Sequence, residues 1–183
     1  ALASYYRQVQ TELLGQGLLR TDMGGQDAPF TDQILARNFL RIAFYEELDR
    51  AHGGGLRREA PIKMTRWAEP VRVGLSFGDK VPADQRAVDT ARVSSYLAQM
   101  TAMNRNTYCQ VITESDPTSS TYSGAAAVIP AEHPDLMFMM CLHEEVAQAL
   151  GLPNDNGLVR PSIFNDDQEF ALLTGQDELM LRM

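Results

Sequence analysis

The sequence predicts an α+β fold, and three observations predict it. Stretches of helical and of strand-like periodicity follow one another without an internal repeat. Glycine- and proline-rich breakers fall between them. The 183 residues, 44% of them hydrophobic, suffice for one sizeable core, so the length argues for a single unit.

Taken in order, residues 1–29 read as an N-terminal helical arm that ends in the Gly-rich patch DMGGQDAP (22–29), and residues 30–183 as the domain proper. Thr31 is placed to cap the first strong helix, with Phe30 offset to staple against Leu35. Leu35, Phe39, Ile42 and Ala43 line one face. This helix should end before HGGG (52–55).

PVRVGLSF (70–77) alternates in the period of a half-buried strand. Val93, Tyr96, Leu97 and Met100 then recur at helical spacing, which predicts a crossover helix within 84–103. Two further strands are signalled, at 107–113 and 125–130, joined through DPTSSTYSG as a hairpin connection or a longer rim loop.

A helix opens near Pro134, with Asp135 in its first turn, and Gly151 is suited to close it in the left-handed conformation. A last helix is announced by Thr174 and Asp177 at capping-box spacing. The chain stops at Met183 directly behind that helix, which reads as a trimmed end.

The charge balance sets limits on partners. Against 16 Lys and Arg stand 24 Asp and Glu, a formal charge of -8, which repels a phosphate backbone and argues against nucleic acid. No apolar run reaches the roughly 18 residues that a bilayer span needs, and ALASYYRQVQ lacks the parts of a secretory signal. Cys109 and Cys141 leave two readings open, one disulfide or two buried thiols.

The chemistry concentrates in CLHEEVAQALGLPND (141–155). Read from His143, it gives one imidazole and, a helical turn later, Ala147, which has no donor atom. Two ligands four residues apart are needed to aim at one ion from one helix face. Shifted by one residue, the pattern becomes Glu144-Glu145-x-x-Gln148-x-x-Gly151-x-x-Asn154-Asp155.

This spacing resembles HExxHxxGxxHD, the signature of the metzincin metallopeptidases. Two further landmarks follow in order. Ser162-Ile163-Phe164-Asn165 resembles the Met-turn, with Phe164 in place of methionine, and Leu173-Thr174-x-x-Asp177 resembles the opening of the last metzincin helix. The resemblance implies a zincin-like (metzincin-like) domain with a small mixed sheet, an active-site-type helix and a C-terminal helix. Glu144, Gln148 and Asn154 fall on the ligand positions, Glu145 on the general-base position and Gly151 on the turn, with His143 as an alternative ligand.

FTDQILARNFLRIAFYEEL, PVRVGLSFGDKVP, AEHPDLM, EEVAQALGL and PSIFNDDQEFALLT together also resemble a proteobacterial domain of unknown function found in predicted lipoproteins. That resemblance spans nearly the whole length. It implies the periplasm or cell envelope, with a lipid anchor outside this chain, and no particular activity.

Zinc prefers imidazole nitrogen and thiolate sulfur, whereas Glu144, Gln148 and Asn154 offer oxygen donors. Such a set disfavours zinc and suits either no metal or a weakly held harder divalent cation. Three functions compete. The first is a pseudo-peptidase scaffold that holds a protein, peptide or glycan in its cleft. The second is a metal-dependent hydrolase with a non-histidine ligand set, and the third a structural or interaction subunit of an envelope complex.

Plainer readings stand beside these. Adjacent glutamates on a helix ordinarily form a solvated face, and Asn154-Asp155 after glycine an ordinary polar turn. His133 before proline shapes a turn, while Met137, Met139 and Met140 serve as packing. Trp67 packs the connection ahead of the first strand or marks a binding surface, Asp166 and Asp167 cap or sit in a loop or supply another acidic site, and Arg57, Arg58 and Arg66 make a basic patch that is solvated or meets an anionic partner.

Overall fold

The protein is described by a computed structural model that covers residues 2–46, 60–68, 71–99, 109–116, 118–165 and 167–183. Within them lie α1 (Leu2–Gly15), α2 (Asp32–Ala43), β1 (Tyr45–Glu46), β2 (Ala60–Pro61), α3 (Ala83–Gln99), β3 (Gln110–Asp116), β4 (Thr121–Val128), α4 (Asp135–Leu150) and α5 (Gly175–Met180). The architecture is α+β, with two separate two-stranded antiparallel sheets, β1-β2 and β3-β4.

The N-terminal helix is attached to the rest of the chain. Tyr6 is buried with its ring 4.3 Å from that of His133, and the Gln10 side-chain oxygen accepts the Met137 N–H at 3.2 Å. Behind the helix, Leu19 N–H donates to Gln168, Arg20 N–H to Glu169, and Ala171 N–H to Arg20. The Arg20 guanidinium meets Asp22, Asp27 and Glu169 and lies over the Phe170 ring. Its exposed pairs are worth little individually. The backbone pairing is what joins residues so distant in sequence.

Thr31 caps α2, its hydroxyl accepting the Ile34 N–H at 3.3 Å. The apolar face is as the periodicity predicts: Ile42 and Ala43 are buried, and Leu35 and Phe39 pack on the same core. Asn38 lies within that stripe, buried. The helix ends at Ala43, and the HGGG breaker lies outside the described residues.

The expected strand at 70–77 is corrected. Residues 71–77 carry no strand, and Val71, Val73 and Leu75 are 43%, 52% and 45% exposed. Alternation makes a strand only where an edge offers backbone partners, and among the described residues none pairs with this segment. Pro70 lies outside the described residues. The helix expected within 84–103 forms as α3 with Val93 buried, but it lies between strands of two separate sheets and is no crossover among the described residues, and its expected extension to Met103 lies outside them.

β3 and β4 form a hairpin, not a longer rim loop, paired from Gln110↔Val128 to Asp116↔Thr121. The strands run into the polar stretch read as loop because the Asp116 carboxylate gathers the turn. It accepts Thr118 N–H, the Thr118 hydroxyl and the Ser119 hydroxyl. A register shift at Glu114/Ser115 leaves Ser123 as the extra residue of a bulge. Arg66 bridges Thr121 in parallel, so the chain ahead of α3 runs beside the start of β4.

At the centre lies α4, buried on several sides through Met137, Phe138, Met140, Cys141, Leu142 and Ala147. A helix with apolar residues on several sides belongs inside a core, not on its surface. Its partners include Ile42 and Ala43 of α2, Val93 of α3, and Leu152, Phe164, Leu173 and Met180 behind it. Pro134 stands at the N-cap, one place before the helical turn expected of it.

Candidate functional site

The site is built on the last two turns of α4 and the chain that returns beneath them. Glu144 and Gln148 stand four residues apart on one face. Glu144 is 0% and Glu145 2% exposed, which corrects the solvated-face reading of the pair. The burial follows from the helix itself: with core on several sides, little of its surface reaches water.

Gly151 ends the helix at φ 125°, its N–H reaching the Ala147 and Gln148 carbonyls. A Cβ there would stand 3.1 Å from the Thr65 carbonyl oxygen and 3.9 Å from Tyr122. Glycine is required on both counts, backbone angle and close approach. Nearby, the Trp67 indole N–H donates to the Ala149 carbonyl at 2.8 Å, and its ring lies 5.7 Å from that of Tyr122. Trp67 therefore fastens the segment ahead of α3 to the end of α4.

The reversal at Gly151 carries Asn154 back into the interior, at 0% exposure. Its side-chain amide donates to the Arg41 carbonyl at 2.8 Å, which ties the returning chain to the residues of α2. Asp155 is buried beside it. Two residues on, Asn156 N–H donates to the Phe164 carbonyl at 2.8 Å. That bond sets the 162–165 turn against the returning chain.

Phe164 is fully buried in the core. The turn around it is fixed by Asp177 of α5. The Ser162 hydroxyl donates to one carboxylate oxygen, and the N–H groups of Ile163 and Thr174 donate to the other at 3.1 and 2.9 Å. Ser162 in turn accepts the Phe164 N–H at 3.0 Å. Thr174 and Asp177 complete a capping box, so one carboxylate both starts α5 and holds the turn. Burial pushes the Asp177 carboxyl up to about 6, against the pull of these donors.

His143 precedes the two glutamates on α4 and is partly buried. Its Nδ1 accepts the Leu173 N–H at 3.3 Å, which leaves the proton on Nε2, and burial holds its pKa down to about 3. The ring is neutral and works as a strut between α4 and the approach to α5. His133 N–H closes a turn onto the Pro130 carbonyl. Arg66 is exposed, as is Asp167, which accepts the Glu169 N–H, while Arg57, Arg58 and Asp166 lie outside the described residues.

Cys109 and Cys141 are joined in a disulfide that ties the residue ahead of β3 to the middle of α4. Among the described residues, no three His, Cys, Asp or Glu side chains converge as a metal site would require. Glu144, Gln148 and Asn154 supply one carboxylate and two amides, a donor set that does not fit zinc.

One buried pair escaped the sequence reading. Asn38 donates to Gln176 at 3.0 Å, and Gln176 to the Pro161 carbonyl at 2.7 Å, linking α2, the turn and α5. The signal was present, since Asn38 interrupts the apolar stripe of Leu35 and Ile42. A polar side chain there must be hydrogen-bonded inside.

Fold and site together define a small α+β protein organised around a buried helix that carries two adjacent carboxylates, with a buried turn locked beneath its return. The chain belongs to the family described as Protein of unknown function (DUF2927), whose model matches residues 32–107 and 97–183. No curated protein and no solved structure matches it.

Proposed function

We propose that this chain is a metzincin-like protein of the cell envelope that keeps the frame of a metallopeptidase site without its histidines, and binds a protein, peptide or glycan in that cleft without hydrolysing it. The observation that carries this reading is the hydrogen bond from Asn156 N–H to the Phe164 carbonyl, 2.8 Å. It brings the turn that resembles the Met-turn behind the chain holding the third ligand position. A frame held by such specific bonds around an oxygen-only donor set supports recognition over hydrolysis, since no water is activated there in the way zinc would activate it.

The Cys109–Cys141 disulfide supports an envelope location, because such bonds persist in oxidising compartments. In this reading a lipid anchor lies outside the chain. Gln148, partly exposed between the buried Glu144 and the glycine turn, is the group offered to a ligand.

A second reading, a hydrolase with a non-histidine ligand set, is favoured by one observation, the burial of Glu144 and Glu145 side by side. Adjacent carboxyl groups withdrawn from water are the kind of pair that general acid and base chemistry uses.

Two assays separate the readings. The purified protein is incubated with a fluorogenic peptide library in zinc, manganese or calcium, and is probed on arrays of peptides and cell-wall glycan fragments. The proposal expects no cleavage with any metal, and array binding that Gln148→Arg abolishes. Cleavage that one metal restores after chelation would move the protein to the second reading. Absence of binding, or binding indifferent to Gln148→Arg, removes the cleft function.

A further inference from the structure

The disulfide and His133 form a cluster that the site above does not use. Cys141 is 0% exposed, at the centre of α4, whereas Cys109 is partly exposed at the start of β3. His133 is buried at the other end of the same cluster, with Nδ1 3.5 Å from the Cys141 sulfur and its ring stacked edge-on against Tyr6.

The tautomer of His133 follows from its surroundings. A disulfide sulfur has no proton, so it can only accept. Nε2 is buried and meets no hydrogen-bond partner among the described residues. A buried N–H without an acceptor costs more than a lone pair without a donor, so the proton belongs on Nδ1, directed at Cys141. Burial also keeps the ring neutral, with its pKa lowered to about 4, so this donor persists unchanged across neutral pH.

We propose that Cys109–Cys141 is a directional thiol-exchange site, at which an incoming thiolate attacks the Cys109 sulfur and Cys141 departs as the thiolate held by His133. In the first step the S–S bond breaks as a bond forms between the attacking sulfur and Cys109. The electron pair goes to Cys141, which takes up a proton from solvent for the one the attacking thiol had lost. No net redox change occurs until a second thiol of the attacking dithiol resolves the mixed disulfide, leaving two cysteine thiols here and an oxidised dithiol there.

Access selects the site of attack, because the Cys141 sulfur has no exposed side. The Nδ1–H group then assists departure, since a hydrogen-bond donor stabilises a thiolate leaving group and offsets the cost of its burial. The partner is a thiol, either a small one or the reactive dithiol of a protein. Cys141 lies one helical turn before Glu144, so exchange releases β3 from the helix that carries the candidate site.

The full chain is incubated with reduced glutathione without denaturant, quenched in acid, blocked with N-ethylmaleimide and mapped by peptide mass spectrometry. The expected product carries glutathione on Cys109 and maleimide on Cys141, in at least tenfold excess over the reverse, and the preference disappears in concentrated guanidinium. Glutathione on Cys141, an even split, or no exchange without denaturant each overturns the proposal. His133→Phe, which keeps an aromatic ring against Tyr6, should slow native exchange about tenfold while leaving the site of attack unchanged. An unchanged rate in a folded variant would remove His133 from the step. A small bacterial dithiol oxidoreductase in place of glutathione, trapped by mutation of its resolving cysteine, should give the same Cys109 adduct, and attachment at Cys141 would contradict the direction for protein thiols.

Discussion

The Ser162 hydroxyl donates to the buried carboxylate of Asp177, and the Ile163 N–H reaches the same carboxylate at 3.1 Å. Fifteen residues apart, these two side chains hold a turn and a helix start as one unit. The core residue Phe164 is positioned through them, because Ser162 also accepts its N–H.

Ser162→Ala should therefore be costly out of proportion to its size. It strips the Phe164 N–H of its acceptor and the carboxylate of a donor, both inside the core. Leaving such groups unsatisfied costs about 1–3 kcal/mol, so urea unfolding should show a loss of about 2 kcal/mol. Ser119→Ala, on the exposed hairpin turn, should change stability by less than about 0.5 kcal/mol.

The pH dependence of stability should carry two opposed signatures. Asp177 has a folded value of about 6, above its ordinary 3.8, so its stabilising contribution is full below about 4 and is lost as pH rises through 6. His143 and His133 are lowered to about 3 and 4, so they oppose folding progressively as pH falls below 6.5. Two groups outweigh one, and the wild type should lose stability between pH 7 and 5. Asp177→Asn removes the compensating carboxyl and should lose roughly 1 kcal/mol more over that interval. Equal pH profiles would show that the carboxyl does not titrate there.

Gly151→Ala tests the turn that returns the chain. Its φ is 125° and the added Cβ would meet the Thr65 carbonyl at 3.1 Å, so a loss of about 1–3 kcal/mol is expected by thermal or urea unfolding. Gly157→Ala, whose Cβ would find only Asn165 at 3.9 Å, should be close to neutral.

What the sequence disclosed was what is decided locally. The caps at Thr31, Gly151 and Thr174 are short-range hydrogen-bond devices, and the helices begin or end at them. The strand expected at 70–77 failed because pairing is decided by a distant edge, which alternation in Val71, Val73 and Leu75 cannot supply. The docking of Leu19 and Arg20 onto 168–171 escaped notice for the same reason. Within the site, the spacing from Glu144 to Asp155 was legible, but the burial of Glu144 and Glu145 was not. Two charged residues carry no sign of burial until the surrounding core is in place.

The central claim is that Glu144, Gln148 and Asn154 occupy the three ligand positions of a metallopeptidase frame. The direct measurement is zinc affinity and stoichiometry, by competition with a chromophoric chelator, of the triple variant Glu144→His, Gln148→His, Asn154→His beside the wild type, with circular dichroism as the control for folding. The account predicts one zinc per chain held at least a thousandfold more tightly by the variant than by the wild type, a gain of about 4 kcal/mol. A folded variant that holds zinc no better than the wild type would contradict it.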